Sequence, residues 1–295
     1  MRNLKTWFRA VRPDSGKTRV FDIEASRRCN VKCRFCPRPH IKNVGDMEPD
    51  TFRRFLENVP LQSKDIVNFC GLGEPLLNSS LPDYLRLLRE RYPRQTIGLT
   101  TNGTLLDGNI VPALLDSRIN FIQVSFNGID AADYERQVEG AQFECTLANL
   151  EYTRDEIRKR ENSPTELQVT YLLARQNLRD KQKIESFWAD RTIMAFPLYY
   201  HTRGGFMKQP DMTPLDKGGF AKQRSCTVFE GIQFIAWNGD VLSCCHDIEH
   251  KYVFGNINQD RLREVVARKK RVVKQNQWPP ICFLCTDATR RGSLG

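Results

Sequence analysis

Residues 29–36 read Cys29-Asn-Val-Lys-Cys33-Arg-Phe-Cys36, a C-x3-C-x2-C spacing. Three thiolates this close wrap one small metal centre from a single loop. A structural zinc wants a fourth ligand nearby, either a second C-x2-C pair or histidines. His40 is the only local candidate, and Pro37 and Pro39 stiffen the path to it. Three thiolates with no evident fourth fit three irons of a [4Fe–4S] cluster better and leave one iron open for chemistry. A zinc site borrowing a distant ligand is the alternative.

The pattern outward from this loop is α/β. Residues 19–24 alternate like a strand and lead straight into the cysteines. Residues 51–58, after Glu-Pro-Asp, read as a helix. Strands follow at 65–70, 96–100, 121–126, 167–173 and 193–200. Helical spacing occupies 81–91, 105–115, 143–160 and 181–188 between them. Six strands alternating with helices predict a parallel sheet, and six units rather than eight predict a partial (β/α)6 TIM-type barrel. Polar and glycine residues gather just after the strands, where such barrels build their sites.

At Cys29, Cys33, Cys36 and Phe35 the sequence resembles the radical SAM superfamily, whose signature is this spacing with an aromatic before the last cysteine. The resemblance implies a [4Fe–4S] cluster whose open iron chelates S-adenosyl-L-methionine. One electron then splits the S–C5′ bond, and the 5′-deoxyadenosyl radical takes a hydrogen atom from the substrate. It also implies that Gly71-Leu-Gly73-Glu74, a variant of the family's Gly-Gly-Glu stretch, receives the methionine amino group. Thr101, Asn102, Ser125 and Asn127, at the ends of the third and fourth strands, are expected to reach the carboxylate and ribose. Read alone, these residues are strand-end caps and turns.

Cys226, Cys244, Cys245, Cys282 and Cys285 form a second set. With Gly239 five residues before Cys244 and a Cys282-Phe-Leu-Cys285 step, they resemble the SPASM/twitch extension. That resemblance implies one auxiliary [4Fe–4S] cluster on Cys226, Cys244, Cys282 and Cys285; a four-thiolate zinc site is the rival. A hairpin over 231–245, with Asn238-Gly239 as a type I′ turn, and a basic helix over 260–274 complete a small C-terminal domain. Residues 254–257 read as a turn. Cys245 follows Cys244 directly, so on a strand it faces the other way. It is the candidate hydrogen-atom donor, as in radical SAM epimerases, with Cys70 a second candidate and Cys145 a core residue. Whether Cys244 or Cys245 is the ligand stays open. Arg203 and His201, after the sixth strand, are candidates to fix a substrate oxygen and to take a proton; His246 and Asp247 are further ones.

The domains expected are a 1–18 extension with a short docking helix, a 19–205 barrel, a 206–225 linker and a 226–295 auxiliary-cluster domain. A net charge of +10 favours a neutral or anionic substrate. Ten cysteines, unevenly clustered, point to metal in a reducing compartment, and neither a signal peptide nor a membrane span is evident. A cytoplasmic enzyme fed by flavodoxin or ferredoxin is the expectation. Twenty-eight residues before Cys29 leave no room for a leader-binding domain, which favours a small polar substrate. By resemblance that substrate is a carbohydrate, aminocyclitol or sugar derivative, epimerised or dehydrogenated at a carbinol carbon. The alternatives are a peptide-modifying radical SAM enzyme (epimerase or cross-linking maturase) and a non-catalytic zinc or nucleic-acid-binding protein. No aromatic and basic interleaving supports a nucleic-acid partner.

Overall fold

The structure is a computed structural model and describes residues 19–215 and 226–287. The anticipated docking helix over 1–18 and the second half of the expected linker, 216–225, lie outside them.

Six parallel strands stand side by side in chain order: β1 (Val20–Ile23), β2 (Ile66–Phe69), β3 (Thr96–Thr101), β4 (Phe121–Ser125), β5 (Glu166–Leu173) and β6 (Met194–Tyr199). The helices between them are α1 (Pro49–Asn58), α2 (Leu81–Arg91), α3 (Ile110–Asp116), α4 (Ala131–Gln137), α5 (Phe143–Lys159) and α6 (Lys181–Asp190). Pro49 opens α1 at its first turn, where a missing N–H costs nothing. Strand alternation sorts the side chains. Phe21, Ile23, Val67, Phe69, Leu99 and Val124 join the main core with the helices. There Phe52 of α1 stacks on Tyr84 of α2 at 4.4 Å, and each such buried ring contributes on the order of 2–3 kcal/mol. Val20, Ile66 and Phe121 belong to a separate apolar cluster on the other face of the sheet.

Downstream, β7 (Ile232–Ile235), β8 (Asp240–Leu242) and β9 (Val253–Asn256) do not form a sheet of their own. β7 pairs parallel to β1, with Val20 opposite Ile232, and β8 and β9 follow antiparallel. The result is one nine-stranded mixed sheet in the order β9-β8-β7-β1-β2-β3-β4-β5-β6. Helices α7 (Thr227–Gly231), α8 (Leu262–Gln275) and α9 (Pro280–Leu284) accompany it. Among the described residues no helix is long and apolar enough to cross a membrane.

Several expectations need correction. The helix over 105–115 begins only at Ile110, because the Asp107 carboxylate accepts the Asn109 and Ile110 N–H groups and starts it there. The 238–239 turn is not type I′. Only Gly239 takes a positive φ (+88°), Gly239 N–H bonds to Ala236 O at 2.8 Å, and the loop has three residues. A left-handed glycine closing a three-residue loop is the other common hairpin solution. Residues 254–257 are mostly strand: Gly255 lies opposite Val241, and a Cβ there would press on Val265 of α8. Cys145 is exposed rather than core, since α5 buries Phe143, Thr146, Leu147 and Leu150 and turns position 145 outward. The described part of the expected linker, 206–215, is tied down: Asp211 pairs with Arg34 at 3.1 Å, and Arg175 donates to the carbonyls of Pro214 and Leu215. Helices α4, α7 and α9 were not anticipated.

Candidate active site and cluster sites

β1 delivers the chain into the first cysteine loop. Arg27 is buried there and donates to the Ile248 carbonyl, and Arg28 pairs with Asp46. Cys33 is held in a short ladder, Lys32–Cys33 against Val138–Glu139. Cys36 N–H bonds back to Cys33 O at 3.0 Å. Cys29, Cys33 and Cys36 are half-buried free thiols, and burial raises Cys29 as it does Cys33. Burial first, then the neighbouring Cys36 and Cys29, pushes Cys33 up to about 12, with Arg203 and Arg38 pulling it back. Thiols that resist ionising together need a strongly cationic centre to become ligands. An iron–sulfur core is one, and this three-thiol set fits it.

The Gly71–Glu74 stretch packs against this loop. Glu74 N–H donates to Arg28 O at 2.7 Å. The Glu74 carboxylate accepts from Thr101 Oγ1 (2.7 Å), Asn102 N (2.7 Å) and Leu76 N (3.2 Å). A carboxylate has roughly four lone-pair sites, so about one remains for an incoming ammonium. Burial raises Glu74 to about 7 despite these donors, and an ammonium beside it would favour the ionised form. Asn102 Nδ2 also lies 3.9 Å from Cys29 Sγ. Glu74, Thr101, Asn102 and the first cysteine thus form one connected group. At Gly73 a Cβ would fall on the carbonyl oxygens of Ser26 and Arg28. Gly73→Ala is therefore expected to displace the 26–29 backbone, cost about 1–3 kcal/mol and reduce iron loading, measured by thermal melting and iron content.

A cavity of about 350 Å³ opens past the ends of β4 and β5. Phe35, Asn127, Leu172 and Ala174 are in its wall. Asn127 is committed structurally, its Oδ1 accepting Leu172 N–H at 2.8 Å and clamping β4's end to β5. Ser125 ends β4, half-buried, and does not line the cavity.

The second cysteine set converges in a separate cleft. Cys226, Cys244, Cys282 and Cys285 line it together with His246 and Asp287. Burial, then Cys226 and Cys285, pushes Cys244 up to about 12. His246 Nδ1 lies 3.5 Å from Cys285 Sγ, and its Nε2 lies 3.3 Å from Asp287. Four thiols in an apolar cleft suit either a cluster or zinc by donor type alone.

Cys245 does not line this cleft. Both cysteines lie beyond β8, in a turn, so the inference from strand alternation does not apply. Asp22, Arg203 and Asp287 act on its thiol, which burial raises, and the Cys70 thiol feels it in turn. Arg203 therefore acts on thiols of both sets, Cys33 and Cys245. Its φ is +45°, an uncommon conformation for a residue with a side chain. Gly204 and Gly205 follow at positive φ and pack on Ile281 and Leu284 of α9, while Thr202 Oγ1 donates to Leu284 O at 2.8 Å. The loop after β6 is thereby docked on the helix that carries Cys282. His201 sits 3.9 Å from Asp287, and burial lowers it to about 4. Asp247 accepts the N–H groups of Lys251 and Tyr252 and serves its own turn.

A polar layer across the strands escaped sequence reading. Asn68 Nδ2 donates to Asp22 Oδ1 at 3.3 Å and lies 3.4 Å from Thr100 Oγ1, and Gln168 donates to Gln123 at 3.3 Å. Asp22 and Asn68 are register partners on β1 and β2, Thr100, Gln123 and Gln168 are partners on β3 to β5 two residues further along, and burial raises Asp22 to about 6. The signal lay in polar residues at alternate positions of largely apolar strands. Asp287 carried no such signal.

The sequence profile of the Radical SAM superfamily matches residues 23–173, just over half of the chain. That of the SPASM iron–sulfur cluster-binding domain matches residues 226–286. The S-adenosyl-L-methionine-dependent 2-deoxy-scyllo-inosamine dehydrogenase of Niallia circulans is 22% identical, over 83% of this chain and 81% of its own. BtrN, solved with AdoMet and 2-DOIA, superposes with a TM-score of 0.62 at 19% identity, covering 92% of this chain and 94% of that one. Native anSMEcpe, solved with AdoMet and a peptide, gives 0.67 at 15% identity, covering 90% and 84%. At these identities the structures support the fold. Two other curated relatives, 26% and 25% identical, are matched over 46% of their lengths, so the chain spans about half of each.

Proposed function

The chain belongs to the radical SAM superfamily, and on that premise we propose that it takes a hydrogen atom from a carbinol C–H of a small polar substrate, a carbohydrate, aminocyclitol or other sugar derivative. It is an enzyme with iron–sulfur and S-adenosylmethionine cofactors, which sets aside a non-catalytic zinc or nucleic-acid-binding protein. The observation that supports the substrate reading is the grouping of Asp22, which Asn68 holds from the next strand, with Arg203 around the Cys245 thiol, a polar set beside the candidate hydrogen donor.

Cys29, Cys33 and Cys36 would hold a [4Fe–4S] cluster, which would supply one-electron chemistry to bound S-adenosylmethionine. Glu74 has an acceptor site left for the methionine ammonium, with Gly73 letting its backbone close on the loop. Thr101 and Asn102 hold Glu74 in place. Phe35, with Asn127 beside it, shapes the wall of the 350 Å³ cavity, which takes the adenosine; Ser125 closes β4 near it. Arg203 fixes a substrate oxygen. Burial lowers His201 to about 4 and opposes its charged form, so the Asp287 carboxylate 3.9 Å away is what would support a proton taken there. Oxidation to a carbonyl then balances as one hydrogen atom to the deoxyadenosyl group, one proton to a protein base and one electron to the site of Cys226, Cys244, Cys282 and Cys285.

Epimerisation is the second reading, favoured by Cys245. Burial keeps its thiol protonated, as a hydrogen-atom donor must be. Return of that atom leaves a sulfur radical, which one electron and one proton restore. The reductant we assign is flavodoxin or ferredoxin. A cleft of about 570 Å³ opens on Cys33 and Cys36, and Lys32, Arg34, Arg38 and Lys208 line it, a surface that suits acidic carriers.

Product mass separates the outcomes. Dehydrogenation gives a product two mass units lighter, with one S-adenosylmethionine consumed per turnover, and Cys245→Ala leaves it intact. Epimerisation conserves mass in water, adds one deuterium in heavy water and stops in Cys245→Ala. Cleavage of S-adenosylmethionine that rises with a peptide and with no sugar derivative would overturn the substrate class in favour of a peptide-modifying epimerase or cross-linking enzyme.

A further inference from the structure

Helix α8 places a lysine in its buried stripe. Leu262, Val265 and Lys269 face inward at helical spacing, and Lys269 is only 3% exposed. Its Nζ donates to Ile232 O at 3.0 Å and stands 5.0 Å from the centre of the Phe229 ring. A carbonyl and an aromatic face compensate part of the lost hydration, but a buried ammonium is expensive without a negative partner. Burial lowers Lys269 to about 8, and four groups pull it back, in order Cys244, Cys226, Cys245 and Glu230; its partner Ile232 packs in one apolar cluster with Cys244 and Cys226, and Phe229 lines the cleft of the four cysteines. Three are thiols of the second set. The fourth, Glu230, lies on the exposed side of α7 and accepts Cys226 N–H at 2.9 Å. The negative charge that suits Lys269 is thus the charge of Cys244 and Cys226 as ligands.

We infer that Lys269 is the fixed counter-charge of the centre held by Cys226, Cys244, Cys282 and Cys285, and that it raises the reduction potential of that centre so that it accepts an electron. The inference rests on reading these four cysteines as ligands of an auxiliary cluster. Its physics is Coulomb's law in a medium of low dielectric. Each electron added makes the cluster one unit more negative, so a nearby cation stabilises the reduced form more than the oxidised one. Lys269 is a positioning residue in this sense: it acts through the cluster and touches no substrate. The charge serves the oxidative fate of the substrate radical, in which the second centre takes up one electron. A surface lysine would be screened by water and salt; Lys269 is not.

The test compares Lys269→Met, which keeps length and removes charge, with Lys269→Arg, which keeps the charge. Both are made in the full chain and reconstituted anaerobically with iron and sulfide. The auxiliary cluster is followed in a potentiometric titration by electron paramagnetic resonance, with S-adenosylmethionine added to shift the signal of the other cluster alone. Lys269→Met is expected to raise the oxidised-to-reduced ratio at a given potential about tenfold, a fall in midpoint of about 59 mV for a one-electron couple. Lys269→Arg is expected to titrate close to the parent. A second cluster that loads in Lys269→Arg but not in Lys269→Met supports the counter-charge equally. Equal midpoints in the methionine variant and the parent, or failure of both variants to load, overturn it, because charge would then be irrelevant. A parent chain holding about four irons rather than eight refutes the auxiliary-cluster reading itself, which is a separate result.

Discussion

Cys33→Ala abolishes formation of 5′-deoxyadenosine under dithionite, a loss of at least about a thousandfold, or more than about 4 kcal/mol of barrier. The chain still folds. Cys33 is only half-buried, and the ladder that holds it runs through backbone bonds to Val138, which alanine keeps. The cluster is what goes. Three thiols converge with a fourth iron position left for S-adenosylmethionine, so two thiols cannot hold the same centre. Iron analysis is expected to fall by about four atoms per chain, with circular dichroism unchanged. A Cys33→Ala chain that still cleaves S-adenosylmethionine at a tenth of the parent rate would remove the ligand assignment.

The second large effect separates the two centres. Cys282→Ala is expected to lower iron from about eight to about four per chain, yet leave dithionite-driven cleavage of S-adenosylmethionine within a few-fold of the parent. Oxidised product falls by about a hundredfold or more, since the electron has lost its acceptor. The site lies in its own cleft with Cys226, Cys244 and Cys285, apart from the first loop, so its loss does not dismantle the Glu74–Thr101–Asn102 group. Zinc in place of the second four irons in the parent would decide for the structural alternative. Equal iron in parent and variant would show that Cys282 is not a ligand.

The barrel was legible because each βα unit follows local rules: an apolar strand, a polar turn, a helix with one apolar stripe. The cysteine loop and the Gly71–Glu74 stretch were legible for the same reason, since spacing within a loop is local. The errors were longer in range or rested on a residue with two uses. Glycine at 255 permits a turn, but here it gives α8 room against β9. Leu105 and Leu106 continue a helical spacing, but Asp107 caps the helix three residues later. Asp22 and Asn68, and likewise Gln123 and Gln168, are ordinary strand residues until the register pairs them. Lys269 looked like one more charge of a basic helix; only its place between Val265 and Val272 marks it as inward.

The parallel pairing of Val20 with Ile232 has a consequence for biogenesis. β1 leaves the ribosome before every other strand described, but one of its edges stays bare until residues 232–235 have been made. A naked strand edge invites pairing with other chains, and contacts this distant in sequence form slowly. The nascent polypeptide therefore carries an unfinished seam through most of translation. A chaperone that shields that seam, rather than one that accelerates the later barrel units, is what the topology asks of the cell.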